Sequence, residues 1–266
     1  MFLKYVFIIK LIFIAFISFL NAETEDDKAL RISTDAYNYD KGFGDFTSDS
    51  KMTLRNKQGE ETIRNFRGKT LEVDGDGDKT LFIFDSPKDV KGTATLTFTH
   101  KLDPDDQWLY LPALKRVKRI TSDNRSGSFV GSEFAYEDLG SQELEKYKDR
   151  KYLRKEACPN NKLECHVISR VPTEKSSGYK YQVLWLDDTA AHKVWKIDYF
   201  DRKGSHLKTL FFDDYKIYLD KHWRPSVYKM INHQTGKSTD LLVQNIKFKV
   251  GLSSRDFNPK SLSRAR

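Results

Sequence analysis

Cysteine is scarce in this chain, with two in 266 residues, Cys158 and Cys165. That excludes a cysteine-rich scaffold and any all-thiolate zinc centre. With 14 Gly and 7 Pro, a collagen-like or low-complexity chain is excluded too. Only one long apolar run exists, at the N-terminus, and no second run approaches 18 residues, so a multi-span helical membrane protein is excluded. Catalytic signatures are equally sparse. Neither H-E-x-x-H nor G-x-S-x-G occurs among the residues around His100, His166, His192, His206, His222 and His233. Most of these histidines adjoin turns or strand ends, where a solvated imidazole is the default. No enzyme activity, metal or cofactor is expected.

Two further motifs fail on their spacing. Asp74-Gly75-Asp76-Gly77-Asp78 resembles the start of a calcium loop, but that loop needs Gly sixth and Glu twelfth, where this chain has Lys79 and Asp85. An acidic hairpin tip is the expectation. Gly236-Lys237-Ser238-Thr239 carries the end of a phosphate loop, yet Ile231 stands where its first Gly belongs.

What is present begins with an address. Residues 1–22 contain 18 apolar residues and only two charges, Lys4 and Lys10. A basic start, an apolar run over 11–20 and the small Ala22 before Glu23 follow the order of a secretory signal. Leu20 sits three residues before the expected cut, an imperfect site, and an uncleaved anchor is the alternative reading. The mature chain, 23–266, is expected to be one soluble exported domain. The two cysteines agree with export, because Pro159-Asn160-Asn161 offers a turn between them and a disulfide is expected. Half a metal site, with His166, is the other reading.

The mature chain is polar but aromatic. Of 35 Phe, Tyr and Trp residues, 29 lie beyond residue 22. Residues 26–41 read as a helix, with Ala29, Ile32, Ala36 and Tyr39 on one face. From Lys51 the period falls to two. Three hairpins turn at residues 55–59, 201–204 and 233–236, each ending in Gly. Further strands read at 79–84, 93–101, 108–111, 116–120, 165–171 and 179–186. The fold class is therefore mainly β, an antiparallel meander of roughly 10–12 strands. Residues 141–154 read as a short helix or a charged strand. Residues 122–139, with Gly127, Gly131, Phe129, Phe134 and Tyr136, read as a loop.

Alternating strand faces carry Phe82 with Phe84, Leu96 with Phe98, and Trp108 with Tyr110. Each could be ordinary core. One helix and one loop are little to cover so large a sheet, and the functional reading is an apolar cavity. Its candidate lining is Phe82, Phe84, Leu96, Phe98, Trp108, Tyr110, Phe129 and Phe134. The net charge is +8, with basic clusters at 115–119 and 146–155. After export these suit an anionic lipid surface or an acidic protein better than nucleic acid. A solvated surface balancing acidic runs is the plainer alternative.

Several blocks resemble a known family. They are 105–120 (DDQWLYLPALKRVKRI), 131–139 (GSEFAYEDL), 198–204 (DYFDRKG), 232–238 (NHQTGKS) and 251–257 (GLSSRDF). They are similar to the outer membrane lipoprotein-sorting proteins of the LolA-like superfamily. The resemblance implies a half-open antiparallel β-barrel with helices and a lid loop over its concave side. It implies a periplasmic carrier that binds lipid or acylated lipoprotein cargo without covalent chemistry, and residues 122–139 are the candidate lid. An inner-membrane exporter and an outer-membrane acceptor are the implied partners, with transient membrane contact and a monomeric state. A non-carrier envelope adaptor of an exporter, docking through 146–155, is the alternative. A hydrolase of envelope material is a third reading, which clustered carboxylate and His side chains in a cleft would favour.

Overall fold

A computed structural model describes residues 23–264. The leader read over 1–22 lies outside the described residues. Helix α1 (Glu25–Asp40) starts where Thr24 accepts a hydrogen bond from the Asp27 amide at 3.1 Å. Glu25, Asp26 and Asp27 occupy its first turn, where the helix dipole favours anions. Its apolar stripe is narrow: Ala29 and Ile32 are buried, and Ala36 packs beside them.

Thirteen strands form one antiparallel sheet. The first six are β1 (Asp45–Arg55), β2 (Glu61–Leu71), β3 (Lys79–Ser86), β4 (Ala94–Phe98), β5 (Asp106–Leu111) and β6 (Arg116–Ile120). The next seven are β7 (Tyr147–Ala157), β8 (Glu164–Pro172), β9 (Tyr179–Asp187), β10 (Val194–Asp201), β11 (His206–Tyr218), β12 (His222–Asn232) and β13 (Ser238–Phe248). The half-open barrel with a covering helix is present, with one strand more than the sequence periodicity suggests. The extra strand is β7. Its outward side chains are charged and its pairing with β8 is bulged, so no clean alternation marks it.

The topology dictates where the loop goes. Consecutive strands pair along β1–β6 and along β7–β13, and β1 pairs with β13, which leaves β6 and β7 as the two outer edges. Those two strands are consecutive in sequence. The chain between them, 121–146, must therefore cross from one edge to the other, over the open side of the sheet.

Side-chain alternation then builds two layers. Met52, Phe66, Phe84, Ile168, Leu184, Ile197, Tyr199, Leu210 and Met230 point into the concave side, with Ala29 and Ile32 of α1. On the convex side, Leu81, Ile83, Ala94 and Leu96 are covered by Phe257 and Leu262 of the C-terminal segment. A third cluster, also on the convex side, surrounds the disulfide between Cys158 and Cys165 and includes Val183, Trp185 and Trp195. The Cα atoms of that pair lie 4.9 Å apart across the expected turn.

The two motifs set aside on spacing are turns. Asp74–Asp78 joins β2 to β3. Asp76 accepts the Lys101 amide at 2.9 Å and lies 2.7 Å from His100 Nδ1, so its carboxylate is already engaged. A Cβ at Gly77 would come within 2.7 Å of the Thr99 backbone, so this close approach requires glycine. Among the described residues no group of three or more His, Cys, Asp or Glu is placed to hold a metal. Gly236, at φ +70, closes the β12–β13 turn.

Candidate functional site: the lid and the concave side

The eight candidate cavity residues divide between two layers. Phe82, Phe84, Phe129 and Phe134 meet on the concave side. Leu96 lies in the convex-side cluster, and Phe98, Trp108 and Tyr110 pack against it beneath the C-terminal segment. The register explains the division. Phe82 pairs with Thr95, and Leu81 pairs with Leu96, so the aromatic phase of β3 and the apolar phase of β4 face opposite ways. One cavity cannot be lined by all eight.

Residues 122–139 form a lid of short 3-10 turns, without a strand or an α-helix of its own. Phe129 is only 1% exposed and fills the concave side. Its ring lies 5.6 Å from Phe84, 6.2 Å from Phe82 and 5.8 Å from Tyr136, centroid to centroid. Phe134 is buried beside it, and the Phe129 amide donates to the Phe134 carbonyl at 2.7 Å.

Polar latches hold the lid at both ends. At its start, buried Arg125 donates to Asp105 at 3.1 Å and to Glu174 at 2.9 Å, and Lys146 pairs with Asp105. In its middle, Thr239 Oγ1 accepts the Glu133 amide at 3.0 Å. At its end, Lys208 of β11 donates to Asp138 at 2.8 Å and to the Glu133 carbonyl at 2.9 Å. Asp138 also accepts the Tyr179 hydroxyl at 2.8 Å and the Ala135 amide at 2.7 Å. Glu137 accepts from Ser177 at 2.7 Å and the Gly178 amide at 2.9 Å. Burial, with the neighbouring Asp138 charge, pushes the Glu137 carboxyl above its ordinary range.

Closure also carries costs. Val130, at the lid tip, sits at φ 47 and ψ 42, a left-handed conformation unfavourable for a β-branched side chain by about 1–3 kcal/mol. Beneath Gly131, Arg64 of β2 buries Nε and Nη1 without an acceptor.

Behind the lid, Ser141 donates to Glu143 at 2.7 Å, and the Asp78 amide donates to Ser141 at 3.2 Å. Burial first, then the charges of Glu143, Glu72 and Asp40, raise the Asp78 carboxyl to about 7. A raised carboxylate favours the folded state while it is protonated. That stability is complete below pH ~4 and is lost as pH rises to ~7, by at most about 1.4 kcal/mol per pH unit. Asp78→Asn should flatten this slope and be the more stable chain at pH 8. Urea midpoints at pH 5 and pH 8 check this, and parallel curves for both chains would refute it.

An open groove of about 720 Å³ runs along the lid margin. Ser128, Glu133 and Phe134 of the lid form one wall, Leu207 and Tyr179 lie at its floor, and Lys203 is on its rim. Its lining is half polar, unlike the long apolar cavity the aromatics suggest.

The basic clusters are partly neutralised. In 146–155, Lys146 pairs with Asp105, Arg154 with Glu156 and Lys155 with Asp188. Arg150 donates to the Tyr147 carbonyl at 2.8 Å. Strand β6, by contrast, keeps Arg116 and Lys118 exposed along a sheet edge, where cations discourage edge-to-edge pairing. A His206, His233 and Asp198 cluster meets around Thr209. It lies on the convex face, opposite inward-facing Lys208 and Leu210, and so away from the lid groove.

The sequence reading misses Lys208, Arg125 and Asp138. Lys208 leaves a usable signal, because it stands in phase with the apolar Leu210 and Phe212 that follow it on β11. A charge at an inward position needs a buried partner.

A family model described as an uncharacterized protein matches residues 76–264. No curated protein matches the chain. Among solved structures, a candidate outer membrane lipoprotein-sorting protein domain from Vibrio parahaemolyticus is 51% identical, over 90% of this chain and 100% of that one, with a TM-score of 0.86. A DUF1329 family protein from Desulfovibrio piger is 26% identical, over 90% and 99%, with a TM-score of 0.84. A LolA superfamily protein from Nitrosomonas europaea has the same fold at 17% identity, over 86% and 97%, with a TM-score of 0.68.

Proposed function

Because this chain belongs to the outer membrane lipoprotein-sorting protein family, we propose that it is a periplasmic carrier of lipid or lipoprotein acyl chains. The chains would lie on the concave side, in the place Phe129 and Phe134 hold while the lid is shut. One observation carries this reading. Phe66, Phe82 and Phe84 of the sheet are covered there by a loop with no regular structure of its own, held by a few ionic latches. Such a cover can move as a unit, which a strand or helix of the core cannot.

The energetics are consistent. Each CH₂ withdrawn from water contributes about 0.8 kcal/mol. A chain of sixteen carbons therefore supplies roughly 12 kcal/mol, enough to displace a lid and still bind. No covalent chemistry enters, and the disulfide suits an exported protein. The donor and acceptor would be an inner-membrane exporter and an outer-membrane site, met in passing by a monomer.

The test is to purify the mature protein from its native envelope and analyse it by native mass spectrometry. Bound lipid is expected, together with uptake of a fluorescent fatty acid. Finding neither would overturn the carrier.

The envelope-adaptor reading has its own support, the filled concave side. An adaptor would refuse lipid even when its lid is loosened, which separates the two.

A further inference from the structure

Three cations line the groove at the lid margin without a carboxylate partner among the described residues. Arg202 donates Nε to the Ser177 carbonyl at 2.8 Å and Nη2 to the Ser176 carbonyl at 2.7 Å. Those bonds aim the guanidinium but leave its charge without a carboxylate. Lys203 and Lys237 are exposed on the same rim, and among the described residues neither has a carboxylate within ion-pair distance.

The groove's own acids are hydrogen-bonded to neutral donors. Asp201 accepts the amides of Lys203 and Ser205 at 2.9 Å and the Gln234 side chain at 2.9 Å. Glu137 is taken up by Ser177 and Gly178, and Glu133 accepts Asn232 Nδ2 at 2.7 Å. Lys208 is spent on Asp138. Asp201, Glu133 and Glu137 lie outside ion-pair distance of Arg202, Lys203 and Lys237, so these three cations are free to meet an anion.

The floor is different. Phe134, Leu207 and Tyr179 belong to, or pack against, the concave apolar layer. A cationic rim over an apolar floor is the complement of an amphiphile with an anionic head. At about 720 Å³ the groove is far larger than a free phosphate ion and falls within the size range of sites for whole small molecules.

We infer that this groove binds the phosphate of a glycerophospholipid headgroup, between Arg202, Lys203 and Lys237, with the acyl chains directed under the lid. The direction of the chains rests on the carrier reading; the phosphate site does not. The shared chemistry is a phosphate ester, which a lipid headgroup or a soluble phosphate could supply.

The experiment titrates the mature protein with three probes, followed by amide NMR shifts. They are dihexanoylphosphatidylglycerol below its micelle concentration, neutral monooctanoylglycerol, and glycerol 1-phosphate. The phosphatidylglycerol is expected to bind about tenfold more tightly than the neutral lipid, a preference that shrinks at high salt. Lys203→Glu with Lys237→Glu should abolish that preference and the glycerol phosphate shifts, while monooctanoylglycerol binds unchanged. Both lysines are exposed, and an unaltered thermal midpoint will show that the variant folds.

Equal affinity for the two lipids, or a preference that survives the charge reversal, overturns the inference and leaves the carrier intact. Glycerol 1-phosphate binding as tightly as the phospholipid overturns the lipid headgroup in favour of a soluble phosphate. If monooctanoylglycerol fails to bind while the phosphate probes bind through Lys203 and Lys237, the phosphate site stands and the carrier reading falls.

Discussion

Lys208→Ala should free the lid before it melts the sheet. The ammonium is only 4% exposed and its partner carboxylate 5%, so neither has water to fall back on. Removing one member of a buried pair leaves the other charge uncompensated, at a cost of about 3–5 kcal/mol. The chain has a cheaper way out than global unfolding. Asp138 rides on the lid, and lifting the lid returns it to water. The loss should therefore appear locally, as a 10²–10³-fold rise in exchange of the 129–138 amides. Amides of β11 and β12, such as those of Leu210 and Met230, should keep their protection. Hydrogen exchange by mass spectrometry reads both regions at once. Lys208→Met with Asp138→Asn should recover part of the loss, because it removes the orphaned charge and keeps a polar partner for Tyr179. A uniform fall in protection over the whole sheet would show that Lys208 is a core residue and not a latch. Lipid uptake adds the functional arm. An adaptor stays empty when unlatched, whereas a carrier binds more tightly, since less of the lipid's binding energy is spent on opening.

The architecture was legible because it rests on local rules. Helix α1 follows from Thr24, its acidic first turn and the spacing of Ala29, Ile32 and Ala36. The three hairpins follow from their Gly-terminated turns, and Gly59, Gly204 and Gly236 all have positive φ. Strand β7 was legible only as one of two readings, a short helix or a charged strand, because Lys148, Lys151, Arg154 and Lys155 populate an outer strand that needs only one covered face. The composition of the site was half legible. Phe129 and Phe134 stood out as aromatics in a glycine-bearing loop. That Phe82 and Leu96 face opposite ways depends on the β3–β4 register, which pairs Leu81 with Leu96. A one-residue slip in pairing reverses every side chain, so no reading of separate strands could settle it. The latches were hidden for a different reason. Lys208 and Asp138 are 70 residues apart, and their meeting is a property of the edge-to-edge crossing between β6 and β7.

Phe129→Ala is expected to have an effect of similar size, and it too should favour cargo. The ring is almost wholly buried and sits against Phe82, Phe84 and Tyr136. Truncating a buried Phe costs about 3–5 kcal/mol, from lost transfer energy and from the cavity left behind. A loop that crosses an open sheet has little backbone with which to collapse into that cavity, which places the cost toward the upper end. The closed arrangement already carries the left-handed Val130 and the unpartnered Arg64 nitrogens. Losing the anchor ring should therefore tip the lid toward open. The void would then be apolar and shaped for methylenes. A saturated acyl chain should restore much of the lost stability, raising the thermal midpoint of the variant more than that of the parent chain. Differential scanning calorimetry with and without lipid measures that difference directly. If Phe129→Ala falls in stability and lipid recovers none of it, the ring is filling a core that cargo never enters. The filled-core adaptor would then be the better account of this concave side.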